Sequence, residues 1–239
     1  MKTLILCEGT TDLIMLQFVL QYKYDWKYDG FVENAITNRL IKKRLIKDNQ
    51  ITEINSCGGI TNISKEMLKI KEVIEYATKN DEIYNKIIIM IDHDTVDSNK
   101  KFIEQLNICI GETFTENQIN IWSQWEVENL VLGVQKIELY IKCIPETETG
   151  AIESIMLNAL GIDAIEQKVI QESSRFIEKI ANTQNRYLQK KSGIYKAIFN
   201  TYFSIRTPEE TYAERARILR AYDWKNNEIL NCGFSFLNY

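Results

Sequence analysis

The sequence predicts an α/β chain in which a mainly parallel four-stranded sheet, flanked by helices, occupies residues 1–125 and a helical extension follows over 126–239. Three observations carry this. Short runs that are nearly all apolar recur at 2–7, 51–57 and 86–94, the composition of strands covered on both faces. Segments with apolar residues at helical spacing stand between them, and such alternation builds parallel sheets with right-handed crossovers. From Gly150 onward only helical periodicity is left.

The elements follow in order. "KTLILC" is the first strand, and Thr10 and Thr11 open a helix that carries Leu13, Leu16, Phe18 and Leu20 to about Tyr22. "YKYDWKYDGF" reads as a loop and edge piece, and "NRLIKKRLIKDNQ" as a basic amphipathic helix. "ITEINSC" is a β-branched strand that ends in Gly58-Gly59. The next helix places Ile63, Met67, Ile70 and Ile74 on one face, the three-to-four spacing of a buried stripe. "KIIIMIDHD" is the strongest strand, and "QINIW" (118–122) the fourth. Four helices are expected over roughly 151–160, 163–181, 185–203 and 208–222, with Pro208 in the first turn of the last.

Composition narrows the class. The 239 residues suffice for one large domain or a domain with an appendage, at 45% hydrophobic and 26% charged. No apolar run approaches the roughly 18 residues of a membrane span. The apolar stretch at the N-terminus stops at Glu8, too short for a signal peptide. Five scattered cysteines show no CxxC pair and no disulfide framework, so reduced thiols and a cytoplasmic location are expected. The net charge of −4 is uneven: residues 161–239 hold 12 Lys and Arg against 9 Asp and Glu, and the rest 17 against 24. That split suits solvated helix faces, or an acidic half that binds metal beside a basic half that grips phosphate.

The acids sit where α/β folds keep their chemistry, at the carboxyl ends of strands. Glu8 ends the first strand, and Asp92 and Asp94 end the third. Residues i and i+2 leaving a strand point the same way, so both aspartates can reach one cation. Asp12 stands four residues after Glu8, one helical turn on. Four carboxylates in one cleft repel unless a cation lies among them, and Mg²⁺ or Mn²⁺ suits an all-oxygen donor set. His93 is the only histidine, so a zinc site built on histidines is ruled out by count.

"LILCEGTTD", "NSCGGITNI" and "IIIMIDHDT" together, in this order and spacing, resemble the Glu-Gly, Gly-turn and Asp-x-Asp motifs of Toprim domains over residues 1–125. "WEVENLVL" resembles the Glu-Asn segment of the OLD-type nucleases and of small stand-alone bacterial Toprim proteins, some of which act in phage defence beside an ATPase. The resemblance implies a Rossmann-like Toprim fold and metal-dependent phosphodiester hydrolysis on DNA or RNA. It makes Glu8, Asp92 and Asp94 the catalytic carboxylates, and Glu8, Asp12, Asp92, Asp94 and Glu128 the metal ligands, with Glu153 a weaker candidate. Lys191 takes the place of the phosphate-side lysine, and Lys190 and Lys196 are its alternatives. No Walker-type phosphate loop occurs in the sequence, so an ATPase partner would be a separate chain.

Two metals about 4 Å apart would supply the nucleophile and neutralise the phosphate. The backbone of Gly58-Gly59 could face phosphate oxygens or simply turn the chain. Lys42, Lys43 and Arg44 on the expected basic helix are candidate nucleic-acid contacts. Tyr22, Tyr24, Trp26 and Tyr28 alternate along one face of an extended segment, as a base-stacking platform or as a ridge at a dimer interface. Exposed apolar residues on the extension point to a homodimer. Two other readings stay open: a catalytically silent Toprim docking or regulatory module, and an RNA-processing maturase.

Overall fold

β1 (Lys2–Cys7), β4 (Gln50–Ser56) and β5 (Lys86–Asp92) are the three apolar runs, and they lie side by side as parallel neighbours with β1 in the middle. The computed structural model describes residues 1–34, 39–183, 186–208 and 219–239, with 31–34 and 39–42 described by backbone alone. Their apolar side chains explain the layering. Leu4, Leu6, Ile87 and Ile89 pack under α2 (Ile60–Tyr76) and α3 (Ser98–Ile110), against Met67, Ile70, Phe102 and Leu106. Leu13 and Leu16 of α1 (Thr10–Phe18) are likewise buried.

The sheet is larger and more mixed than expected. Seven strands run in the order β2-β3-β4-β1-β5-β7-β6, where β2 is Lys27–Asn34, β3 Arg39–Lys47, β6 Trp122–Asn129 and β7 Gly133–Ile144. The pairs β2–β3, β3–β4 and β6–β7 are antiparallel. A mainly parallel four-stranded sheet is therefore replaced by a mixed one with a parallel centre.

Two misread segments account for the difference. "RLIKKRLIK" is a strand, not a basic helix: Lys47 pairs with Gln50 across a two-residue turn in which Asp48 has φ 52°. A tight hairpin with a left-handed residue fixes the register, and it brings Leu45 opposite Thr52 as a fully buried residue. "WEVENLVLGVQKIELYIKCI" is a hairpin, so the expected boundary at 125 falls inside β6. Its period is two: Trp125 and Val127 face the core while Glu126 and Glu128 are exposed. "QINIW" gives a bridge from Ile119 to Ile141, after a 3-10 turn at Glu116–Gln118, and its Trp122 opens β6.

The aromatic segment is also not one extended face. α1 runs on through a π turn at Val19–Lys23, which stacks Tyr22 on Phe18 at 5.6 Å, and Trp26 is buried.

The chain divides into two compact units, Met1–Ile91 with Asp97–Cys143, and Asp92–Val96 with Ile144–Tyr239. The second unit is helical: α4 (Ile152–Leu160), α5 (Ala164–Thr183), α6 (Lys191–Arg206) and the short α7 (Glu228–Gly233). The helix expected over 208–222 lies for 209–218 outside the described residues. Phe199, Tyr202 and Phe203 of α6 form a buried aromatic cluster with edge-to-face contacts at 4.8 and 5.0 Å. Tyr202 donates to Glu166 of α5, which also accepts from Arg206 Nε at 2.8 Å. Among the described residues no helix is long and apolar enough to cross a membrane.

Candidate functional site

In the first unit β1 ends at Cys7 and runs through half-buried Glu8 and Gly9 into α1. Asp12 is buried and accepts the Gly9 N–H at 2.7 Å. That bond satisfies one of the donors a helix start leaves open, and a carboxylate there also meets the positive end of the helix dipole. Asp12 thus caps α1. Gly58 and Gly59 both have positive φ, 76° and 122°, and both donate their N–H to the Glu8 carbonyl oxygen, at 2.8 and 3.1 Å. The expected phosphate-facing amides are therefore committed to the backbone of Glu8.

Glu128 is at the other end of the sheet. It pairs with Val134 at the start of β7, whereas Glu138, further along β7, donates its N–H to Asn85 just before β5. Asn85 in turn bonds the Lys2 carbonyl at the start of β1, so Glu128 lies beyond the edge opposite Glu8. Its neighbour Asn129 is a structural anchor. The Asn129 side chain accepts from Val131 and Leu132 N–H and donates to the carbonyls of Ile74 and Ala77.

Of the basic trio, Lys42 has no described side chain. Lys43 lies over the Tyr28 ring at 4.9 Å, and Arg44 pairs with Asp29 at 3.6 Å. Neighbours along a strand leave on opposite faces, so Lys43 and Arg44 do not form one basic surface.

The second unit holds the other acids. The segment after β5 is stapled by His93 N–H to Ile144 O at 3.0 Å and Gly150 N–H to His93 O at 2.8 Å. The His93 ring hydrogen-bonds the Pro145 carbonyl through Nδ1 at 3.1 Å, which turns it from the aspartates as strand alternation predicts. Asp92 is buried and bound by Lys196 Nζ at 2.5 Å, while Asp94 accepts from Lys190 Nζ at 2.6 Å and from Ser192 Oγ. Burial pushes Asp92 above the usual carboxylate range against the pull of Lys196, and the charge on Asp94 adds to the push. For Asp94 partial burial works in the same sense but is outweighed by its bonds from Lys190 and Ser192, which hold it below that range. Lys191 sits elsewhere, on Glu148 at 2.9 Å. Its neighbours Lys190 and Lys196 are the lysines that meet the aspartates.

Glu153, in the first turn of α4, is the site residue that reasoning from sequence weighted least. It is 3% exposed and its Oε2 has no hydrogen-bond partner. Burial pushes its carboxyl up to about 7, with a further push from Asp92 and an opposing pull from Lys196. The sequence held one signal for it, an acid at the second position of a helix whose neighbours are apolar.

The donors are all hard oxygens, which suits Mg²⁺ or Mn²⁺, and the unpartnered buried oxygen of Glu153 suits a cation. Among the described residues, however, no three acidic, histidine or cysteine side chains are grouped to hold a metal. Asp92 and Asp94 each hold a lysine instead.

Fold and site together define an α/β protein with acids at the carboxyl ends of two adjacent parallel strands and a lysine-bearing helix in its second unit. The chain belongs to the family described as "Protein of unknown function (DUF3226)", whose model matches residues 2–235. It is similar to the crystal structure of a hypothetical protein from Pyrococcus horikoshii OT3, at 15% identity and a TM-score of 0.60 over 99% of this chain and 95% of that one. At that identity the likeness bears on fold alone. No curated protein matches the chain.

Proposed function

We propose that this chain is a divalent-metal-dependent phosphodiesterase of the Toprim type that acts on DNA or RNA, with Glu8, Asp12, Asp92 and Asp94 as its acids. One observation carries the reading. β1 and β5 are parallel neighbours with Cys7 level with Met90, and they run on at the same edge into Glu8 and into Asp92. Bound to these carboxylates, Mg²⁺ or Mn²⁺ would supply an activated water and neutralise phosphate charge. The lysines do the rest: Lys196 and Lys190, freed from Asp92 and Asp94, stabilise charge on the phosphate oxygens. Glu153, raised to about 7, exchanges a proton near neutral pH beside the same aspartate, as a general acid or base must. Glu128 and Lys191 have no part in this version, and a regulating ATPase would be a separate chain.

The ion pairs on both aspartates favour a second reading, a catalytically silent module that docks a partner. Cleavage of single- and double-stranded DNA and RNA by the purified chain separates the two. The nuclease reading expects cutting with Mg²⁺ or Mn²⁺, none with EDTA, and a loss of about a hundredfold or more in Glu8→Ala and in Asp92→Ala. Lys196→Ala should slow cleavage and Lys191→Ala should not. A Glu8→Ala protein that cuts as well as wild type would leave the docking module as the better account.

A further inference from the structure

The wing of the sheet made by β5, β7 and β6 has a second face, turned away from α2 and α3. Ile87, Ile89, Trp125, Val127 and Ile137 belong to the core under those helices. Strand alternation therefore puts Lys86, Trp122, Gln124, Lys136 and Glu138 on the opposite side. With Met1 and Asn85 they line a hollow of about 520 Å³, a volume that suits a small ligand. It lies where β1 and β5 begin, at the end of the sheet opposite Glu8. Trp122 is 40% exposed there, whereas Trp26, Trp125 and Trp224 are buried. Lys86 holds the indole, with its Nζ 5.0 Å from the ring centre and 2.7 Å from Glu138 Oε2. Two exposed amides stand beside it. Gln124 donates Nε2 to Glu126 at 3.2 Å and presents Oε1 as an acceptor, and Asn85 accepts the Lys2 N–H on Oδ1 at 2.7 Å and presents its NH2 group as a donor. Lys136 pairs with Glu126 at 3.5 Å, both well exposed, a contact worth little in water.

We infer that this hollow binds a nucleotide. The base stacks on Trp122, one amide donor and one amide acceptor meet its edge, and Lys136 takes the phosphate. An exposed aromatic ring with lysine beside it holds a base by its face and the phosphate by charge, whatever the base. A phosphate carries nearly two charges and three acceptor oxygens, so it displaces the single carboxylate of Glu126 from Lys136. Lys86 is already matched by Glu138 and keeps the indole in place. A free nucleotide and the phosphorylated end of a single strand carry this same chemistry.

Adenosine monophosphate is the probe, added to the full chain in EDTA so that the proposed metal site plays no part. Equilibrium dialysis reads affinity. Tryptophan emission reads stacking, because Trp122 is the one exposed indole of the four. The expected result is saturable binding that quenches emission. Adenosine should bind about tenfold less tightly, and inorganic phosphate should not quench. Trp122→Ala should weaken binding about tenfold or more, and Trp122→Phe should restore most of it. Lys136→Ala, at an exposed position, should melt like wild type and bind the monophosphate no better than adenosine. A 5′-phosphorylated single strand that binds more tightly than the monophosphate, and through Trp122, would make a strand end the occupant. Equal or weaker binding would make it a free nucleotide. No saturable binding of either probe, binding unmoved by Trp122→Ala, or a wild type that holds adenosine as tightly as the monophosphate would each overturn the proposal. The nucleolytic reading stands or falls separately, because none of these residues belongs to the acidic site.

Discussion

Glu153 keeps a carboxyl where charge is costly, and its proton is the cheapest way out. With a folded value of about 7 against an unfolded one of about 4.3, the folded state binds the extra proton between those limits. Stability from this group is then fully present below about pH 4 and is lost as the pH rises through 7, by about 4 kcal/mol in all. Glu153→Gln should therefore change little at pH 4 and raise the melting temperature at pH 8, as read from thermal melts at both. An equal shift at the two pH values would show that packing, and not protonation, is responsible. Asp12 teaches the complementary lesson. Its spacing from Glu8 was legible, but its bond to the Gly9 N–H gives it a structural duty that spacing alone does not reveal.

The elements that sequence reasoning missed were those whose pattern is completed by a neighbouring strand. β3 has paired apolar residues that suit a helix face as well as a strand, and the pairing of Lys43–Lys47 with β4 decides between them. The β6–β7 hairpin shows period two, yet its closing residue works at long range. Asn129 ties the turn through Val131 and Leu132 to the last turn of α2 through Ile74 and Ala77. Asn129→Ala should cost about 2–3 kcal/mol, because it leaves two buried carbonyls without donors. Urea unfolding reads this, and a loss below about 0.5 kcal/mol would mean water replaces the side chain.

At the scale of the molecule, the proposed metal site would make stability sensitive to cations. Mg²⁺ or Mn²⁺ at a hundredfold excess over its dissociation constant should stabilise the fold by about 2.7 kcal/mol. The Asp92→Asn/Asp94→Asn double variant should not respond, and it should melt differently from wild type in EDTA because Lys196 and Lys190 lose their partners. A wild-type melting curve that millimolar metal leaves in place would count against a working metal site.

By itself the sequence determined the three central strands, the helices α1, α2 and α4, and the carboxylates at strand ends. Each of these is written in local composition: apolar runs that suit a doubly covered strand, three-to-four spacing, and an acid where the run stops. Only the tertiary structure decided the antiparallel wings of the sheet, the assignment of Lys196 and Lys190 rather than Lys191 to the aspartates, and the commitment of the Gly58-Gly59 amides to Glu8. In the wings the partner strand is close in the chain, but a run of paired apolar and basic residues fits a helix face or a strand, and only the hydrogen-bonded neighbour settles which. Lys190 and Lys196 stand 96 and 104 residues from the aspartates they meet, and pairing over such a distance, unlike periodicity, leaves no mark on the residues nearby.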